Sequence, residues 1–162
     1  PGTATSFESQ VNRFTIESGD DMTTGYEDVK AFHDQHGIPT PARPLLPPAD
    51  VHEFRMKFLR EELQEIDDAA KAGDLTGYLD GLIDLVYVAY GTAILTGVSP
   101  ELWQRLWDQV QTANLCKRRA ASADESKRGH SFDVVKPKGW VSPEPTMRMI
   151  IEHVIATGRV PR

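Results

Sequence analysis

The chain has a single cysteine, Cys116, in 162 residues. It cannot close an internal disulfide, and such sparse cysteine fits a reducing, cytoplasmic setting. Long apolar runs are missing as well. The longest uncharged run, Leu85 to Val98, holds two tyrosines, two threonines and two glycines. It is shorter than the roughly 20 residues of a membrane span and reads as a buried core helix, so no membrane partner is expected. Nothing near the start resembles the apolar stretch of a signal peptide. Positive charge is scarce: 18 Lys and Arg against 24 Asp and Glu leave a net charge of −6, which argues against a general nucleic-acid binder. Period-two alternation is absent except in a short piece near Ser131 to Val135, so no sheet is expected beyond it. Repeats and low-complexity tracts are also absent. The length suits one domain with a real core.

Helical signals supply most of what is present. Residues 1–22 are polar and weakly patterned, and read as a flexible N-terminal arm whose Pro1-Gly2 would suit a tag remnant. Residues 23–162 read as one domain. A first helix is expected from Tyr26 to His36, capped by Thr24 and stopped by Gly37. Five prolines fall within Pro39 to Pro48, which excludes a helix and predicts an ordered, extended connection. Asp50-Val51-His52-Glu53 has the form of a capping box for a second helix, Val51 to Ala72, ended by Gly73. Asp74 caps a third, Leu75 to Leu95. Ser99-Pro100-Glu101 opens a fourth, Pro100 to Arg119. A loop from Ala120 to Val141 follows, then a last helix that restarts at Ser142-Pro143 and stops at Gly158. The fold class is therefore all-α, a bundle of four to five helices.

Two acidic segments stand out, Glu61-Glu62-Leu63-Gln64-Glu65 and Asp80-Gly81-Leu82-Ile83-Asp84. On a 100°-per-residue wheel, Val51, Phe54, Phe58, Leu59, Leu63, Ile66, Ala69 and Ala70 form one apolar arc. Glu62 lies near its centre and Glu65 toward a flank. Glu61 falls just outside, and Asp67 and Asp68 face solvent. The third helix is apolar nearly all round, as in the middle of a bundle, yet it carries Asp84 with Asp80 one turn earlier. Asp80 alone would suit the positive end of a helix dipole; Asp84 has no such explanation. Inward carboxylates are costly unless paired or bound to a cation. Four oxygen donors with no histidine or thiol suit Mg²⁺, with Mn²⁺ as a substitute. A di-iron bundle would require Glu-x-x-His motifs, and neither helix has one.

These residues resemble the MazG-type all-α nucleoside triphosphate pyrophosphohydrolases, whose pattern is E-E-x-x-E, a spacer, then E-x-x-D. The likeness extends to the small single-domain phage and bacterial branch through Phe32-His33, Gly37-Ile38-Pro39, the run Asp80 to Gly91, Asn114-x-x-Lys117 and the run Asp133 to Trp140. It spans Tyr26 to Pro145. One departure stands at Gly81, where the family has glutamate, so Asp80 must serve as the fourth carboxylate. The resemblance implies Glu62, Glu65, Asp80 and Asp84 as metal ligands, with Glu62 also catalytic. Glu61 is then either a further ligand or the base that orients water. It also implies conversion of a nucleoside or deoxynucleoside triphosphate to monophosphate and diphosphate within the nucleotide pool, and a homodimer or homotetramer that completes the bundle.

Such a reaction also needs cations for the developing diphosphate. Between Ala113 and Trp140 there are seven Lys or Arg against three acids. Lys117, Arg118 and Arg119 would cluster at the end of the fourth helix, where the dipole favours cations. Asn114 one turn earlier turns Lys117 toward a phosphate role, with Asn114 on sugar or phosphate and Arg118 beside them. Lys136, Lys138 and Trp140 read as a lid bringing charge and a stacking face, although Trp140 serves equally as a loop anchor. Arg55 lies on the second helix's apolar arc, as an ion-pair partner of a site carboxylate or as a phosphate ligand. Phe32 and His33 are candidates for the base. Trp103 and Trp107 read as core or subunit interface. Two rival functions remain: a non-catalytic protein that senses nucleotide or metal, and a structural bundle whose acids pair with Arg55 and Lys117.

Overall fold

A computed structural model describes residues 24–161; the expected N-terminal arm lies outside them. Among the described residues the chain is all-α, with five helices and one minute sheet. The helices are α1 (Gly25–Gln35), α2 (Ala49–Ala72), α3 (Leu75–Ile94), α4 (Pro100–Leu115) and α5 (Glu144–Thr157). No described helix is long and apolar enough to cross a membrane.

Local chemistry sets most boundaries. Thr24 and Glu27 form a reciprocal capping box at α1. Asp74 caps α3 through the Gly77 amide at 3.1 Å, and Ser99 caps α4 ahead of Pro100 through the Leu102 amide at 3.2 Å. The expected box at Asp50 and Glu53 does not form. Pro48 takes the N-cap position of α2 with no side-chain cap bond, and Asp50 lies in the first turn. There its charge favours the helix dipole without capping.

The antiparallel pair α2–α3 is the most extensive helix contact, and α1 packs on α3. Gly81, buried in α3, brings the pair close, since a Cβ there would stand 2.9 Å from Ile66 Cγ1 of α2. The proline-rich connection crosses the end of α3, where the Leu45 amide donates to the Thr96 carbonyl at 2.9 Å. Gly97, at φ +76°, has the Arg43 and Pro41 carbonyls against the space a side chain would fill. Glycine alone suits both demands. Tyr26, Val29 and Ile94 form one buried cluster with Trp103 against it, and Leu102, Leu106, Ile150 and Val154 form another. Val98 packs against both. Trp103 stacks on Tyr26 with ring centroids 4.8 Å apart, whereas Trp107 is exposed.

Two further expectations need correction. The fourth helix ends at Leu115, because Arg118–Arg119 form β1 and pair antiparallel with Val134–Val135, β2. Arg118 and Arg119 therefore lie beyond the helix, not on its last turn. The extended piece foreseen near Ser131 to Val135 is the second strand of that pair. Nor is α3 enclosed: Leu79, Ile83 and Val86 are exposed, Ile83 at 64%. Within one chain α2 and α1 cover only part of a helix that is apolar on nearly every side.

Candidate active site

Glu62 is the centre of the site. It sits on α2 one turn before Ile66, on the side facing α3, and is 6% exposed. Burial raises its carboxyl above the usual carboxylate range, and repulsion from Glu65, Asp84, Glu61 and Asp80, in that order, adds to the shift. Acids of both segments therefore bear on Glu62 across the α2–α3 pair, Asp80 least, but of the four expected inward carboxylates only Glu62 is buried; Glu65, Asp80 and Asp84 are exposed. Asp67 and Asp68 face solvent, and Asp68 is held by Lys71 and Gln64.

None of Glu62, Glu65, Asp80 or Asp84 forms an ion pair with Lys, Arg or His among the described residues. Glu61 alone has a cation, Lys57, at 3.7 Å on the exposed surface. Clustered carboxylates of this kind would suit a divalent cation. Among the described residues, however, no three His, Cys, Asp or Glu side chains stand gathered as a metal cage. The donors fit Mg²⁺ or Mn²⁺ in chemistry and charge, being all carboxylate oxygen. Glu65, Asp80 and Asp84 act on Glu62 without being gathered into a cage.

Glu62 and Asp84 line one end of a cavity of about 420 Å³ between α1, α2 and α3. His33 and Arg55 line it too, with Phe32, Phe54, Phe58, Tyr87, Val88 and Gly91. Arg55 is 8% exposed, and its expected ion pair with a site carboxylate does not form among the described residues. Its Nε donates to Thr92 Oγ1 at 3.0 Å and its Nη2 to the Val88 carbonyl at 2.7 Å. The guanidinium carbon lies 5.4 Å from the Phe58 ring centroid and 5.9 Å from that of Phe54. His33 is 3% exposed with a buried, unpartnered Nδ1. Burial, then the charge of Arg55, lowers its pKa.

The basic segment assembles elsewhere. Lys117 Nζ donates to Asn114 Oδ1 at 2.7 Å and lies 5.7 Å from the Trp140 ring centroid, with Lys136 Nζ at 4.1 Å. The Trp140 indole donates to the Ala113 carbonyl at 2.7 Å, anchoring the loop on α4. Lys138 and Trp140 line a separate cavity of about 340 Å³. Arg118 is taken up by Glu125. None of these side chains lines the cavity of Glu62 within this chain. The sequence reading also passed over Phe54, Phe58, Tyr87 and Gly91 as cavity walls. For the two phenylalanines the available signal was their place beside Arg55 on the apolar arc of α2.

The phosphoribosyl-ATP pyrophosphohydrolase family profile matches residues 29–114, more than half of the chain. The matched span takes in both acidic segments, His33 and Arg55, and ends at Asn114 before the basic loop. No curated protein matches the chain.

Proposed function

The chain belongs to the phosphoribosyl-ATP pyrophosphohydrolase family, and from that membership we propose that it is a Mg²⁺-dependent pyrophosphohydrolase converting a nucleoside or deoxynucleoside triphosphate to monophosphate and diphosphate. The family lies within the MazG-like all-α superfamily of nucleoside triphosphate pyrophosphohydrolases, the level at which the acidic motif's resemblance holds. One observation carries the reading: buried Glu62 is repelled by four further acids, and neither it nor Glu65, Asp80 or Asp84 has a cation of its own among the described residues.

Glu62, Glu65 and Asp84, with Asp80 as the weaker fourth, would hold the metal. Bound Mg²⁺ supplies charge neutralisation at the phosphate oxygens and lowers the barrier to attack by water. Glu61, exposed one residue before the buried Glu62, would hold the attacking water. As the water oxygen bonds to one of the two phosphorus atoms of the α,β bridge, the other P–O bond of that bridge breaks, monophosphate and diphosphate separate, and one proton of the water passes to the Glu61 carboxylate. A second subunit packs on the exposed apolar side of α3 at Leu79, Ile83 and Val86. Asn114, Lys117, Lys136, Lys138 and Trp140 then serve the triphosphate of a neighbouring subunit, with Arg118 bracing their loop through Glu125.

The family's description favours a second substrate, phosphoribosyl-ATP. The test is diphosphate release from a panel of ribo- and deoxynucleoside triphosphates and phosphoribosyl-ATP, with Mg²⁺ and with chelator. Glu62→Gln and Asp84→Asn should each abolish release while the helical circular-dichroism signal persists. Full turnover in both variants would overturn the assignment, and turnover of phosphoribosyl-ATP alone would move the substrate to the second reading.

A further inference from the structure

The cavity between α1, α2 and α3 has two chemically opposite ends. Arg55 and Glu62 share one side of α2, about 10 Å apart along the axis at ~1.5 Å per residue. Glu62 faces Asp84, while Arg55 meets α3 further along, at Val88 and Thr92. With the triphosphate at the carboxylate end, as the proposed hydrolase requires, the Arg55 end receives the base. Its walls suit a planar ring, since Phe32, Phe54, Phe58 and Tyr87 surround it. A phosphate there would exchange its water for aromatic faces and a guanidinium already engaged with α3.

Donors and acceptors at this end have a definite sense. A guanidinium only donates. One Nε and one Nη2 hydrogen of Arg55 are spent on Thr92 and Val88; its other N–H groups have no partner among the described residues, and no carboxylate neutralises it. His33 supplies the complement. Neither ring nitrogen has a hydrogen bond among the described residues, and Nδ1 is fully buried. Burial, then the charge of Arg55, lowers its pKa and so favours the neutral ring, which carries one acceptor nitrogen. Gly91 lets the two groups meet: a Cβ there would stand 3.0 Å from both Arg55 Nη2 and His33 Nε2. Both nitrogens thus lie against the Gly91 backbone of α3, in the wall of the cavity.

We infer that His33, Arg55 and Gly91 form a base-selecting end that favours nucleobases presenting a carbonyl beside a ring N–H, namely uracil, thymine, guanine and hypoxanthine. Arg55 donates to the carbonyl and His33 accepts the ring N–H. Adenine and cytosine present an amino donor beside a ring-nitrogen acceptor along the same edge. They would set donor against donor at Arg55 and lone pair against lone pair at His33, and a buried mismatch of that kind discriminates strongly. The inference rests on the hydrolase reading for the direction of the nucleotide and adds the class of base.

Two measurements on the whole chain separate the two readings. Equilibrium titration with UMP, IMP, CMP and AMP needs no turnover, and UMP and IMP should bind at least about tenfold tighter than CMP and AMP. Steady-state kinetics with UTP, ITP, CTP and ATP should show the same order in KM. His33→Phe keeps a flat ring but removes the acceptor, and should raise KM for UTP and ITP to the level of CTP and ATP. His33→Gln, whose amide oxygen accepts, should restore part of the preference and guards against a folding defect in the phenylalanine variant. Equal binding of the four monophosphates, a preference for CMP or AMP, or a preference unchanged in His33→Phe would overturn the inference. Absence of turnover with every triphosphate would overturn the hydrolase reading alone, because the monophosphate titration still reads the base end.

Discussion

Gly81→Ala probes how closely α2 and α3 approach at the carboxylate end. In an open helix, alanine in place of glycine gains about 0.8–1 kcal/mol. At Gly81 the new methyl would stand 2.9 Å from Ile66 Cγ1, 3.5 Å from the Ile66 nitrogen and 3.7 Å from its Cα. The obstruction is the branched stem of a side chain stiff at χ1, so it cannot simply swing aside. Overpacking of this kind costs about 1–3 kcal/mol. The balance is a net loss of about 0–2 kcal/mol. At roughly 2–4 °C per kcal/mol for a chain of this size, the melting temperature should fall by up to about 8 °C. Ile66 lies one turn beyond Glu62, and Asp84 lies three residues beyond Gly81. Parting the helices there separates the opposing acids, so the stabilisation by Mg²⁺ should shrink as well. The assay is thermal melting by circular dichroism with and without Mg²⁺. Gly81→Glu sharpens it, because that change restores the E-x-x-D pattern of the resembling family yet pushes a long charged side chain into the same contact. It should unfold at lower temperature than the alanine variant and gain no activity. A melting temperature raised by the propensity gain, or a more active Gly81→Glu, would refute the tight contact.

Two further outcomes follow from the charges. Mg²⁺ or Mn²⁺ should raise the melting temperature of the unaltered chain, by about 2.7 kcal/mol of stability at a hundredfold excess over Kd, and chelator should reverse it; no shift with either ion would remove the carboxylates as a metal site. His33 titrates below the ordinary 6.5 in the fold, first through burial and then through Arg55. The unfolded chain takes up that proton before the folded one, so stability should fall as pH drops through 6.5 toward the lower folded value and level off beneath it. Denaturant titrations over about pH 5–8 should show a shallower slope in His33→Phe, and an unchanged slope would refute the assignment to His33.

Local chemistry made much of the fold legible. Thr24, Asp74 and Ser99 cap the helices at which they were expected, and the wheel alone put Glu62 inside. The capping box at Asp50 failed because a proline two residues earlier already occupied the cap position, a competition the motif does not register. The end of α4 was misjudged because Arg118 and Arg119 are held by a pairing with Val134 and Val135, and helix periodicity says nothing of a partner so far along the chain. The openness of α3 was hidden for another reason. Apolar character states that a face avoids water, not whether this chain has enough helices to cover it. Arg55 was read by charge, whereas its visible partners are a carbonyl and a hydroxyl, which one-dimensional spacing does not reveal.

The site is divided unevenly along the chain. All five carboxylates lie on a single helical hairpin between Glu61 and Asp84, joined by a turn at Gly73 and Asp74, so closing that loop costs little entropy. The base end also needs His33, which arrives only when α1 docks on α3. Local opening of α1 would therefore leave the acids face to face while removing half of the recognition edge. Chemistry and discrimination would belong to different cooperative units, and a mutation that loosens α1 would produce a less selective protein before it produced an inactive one.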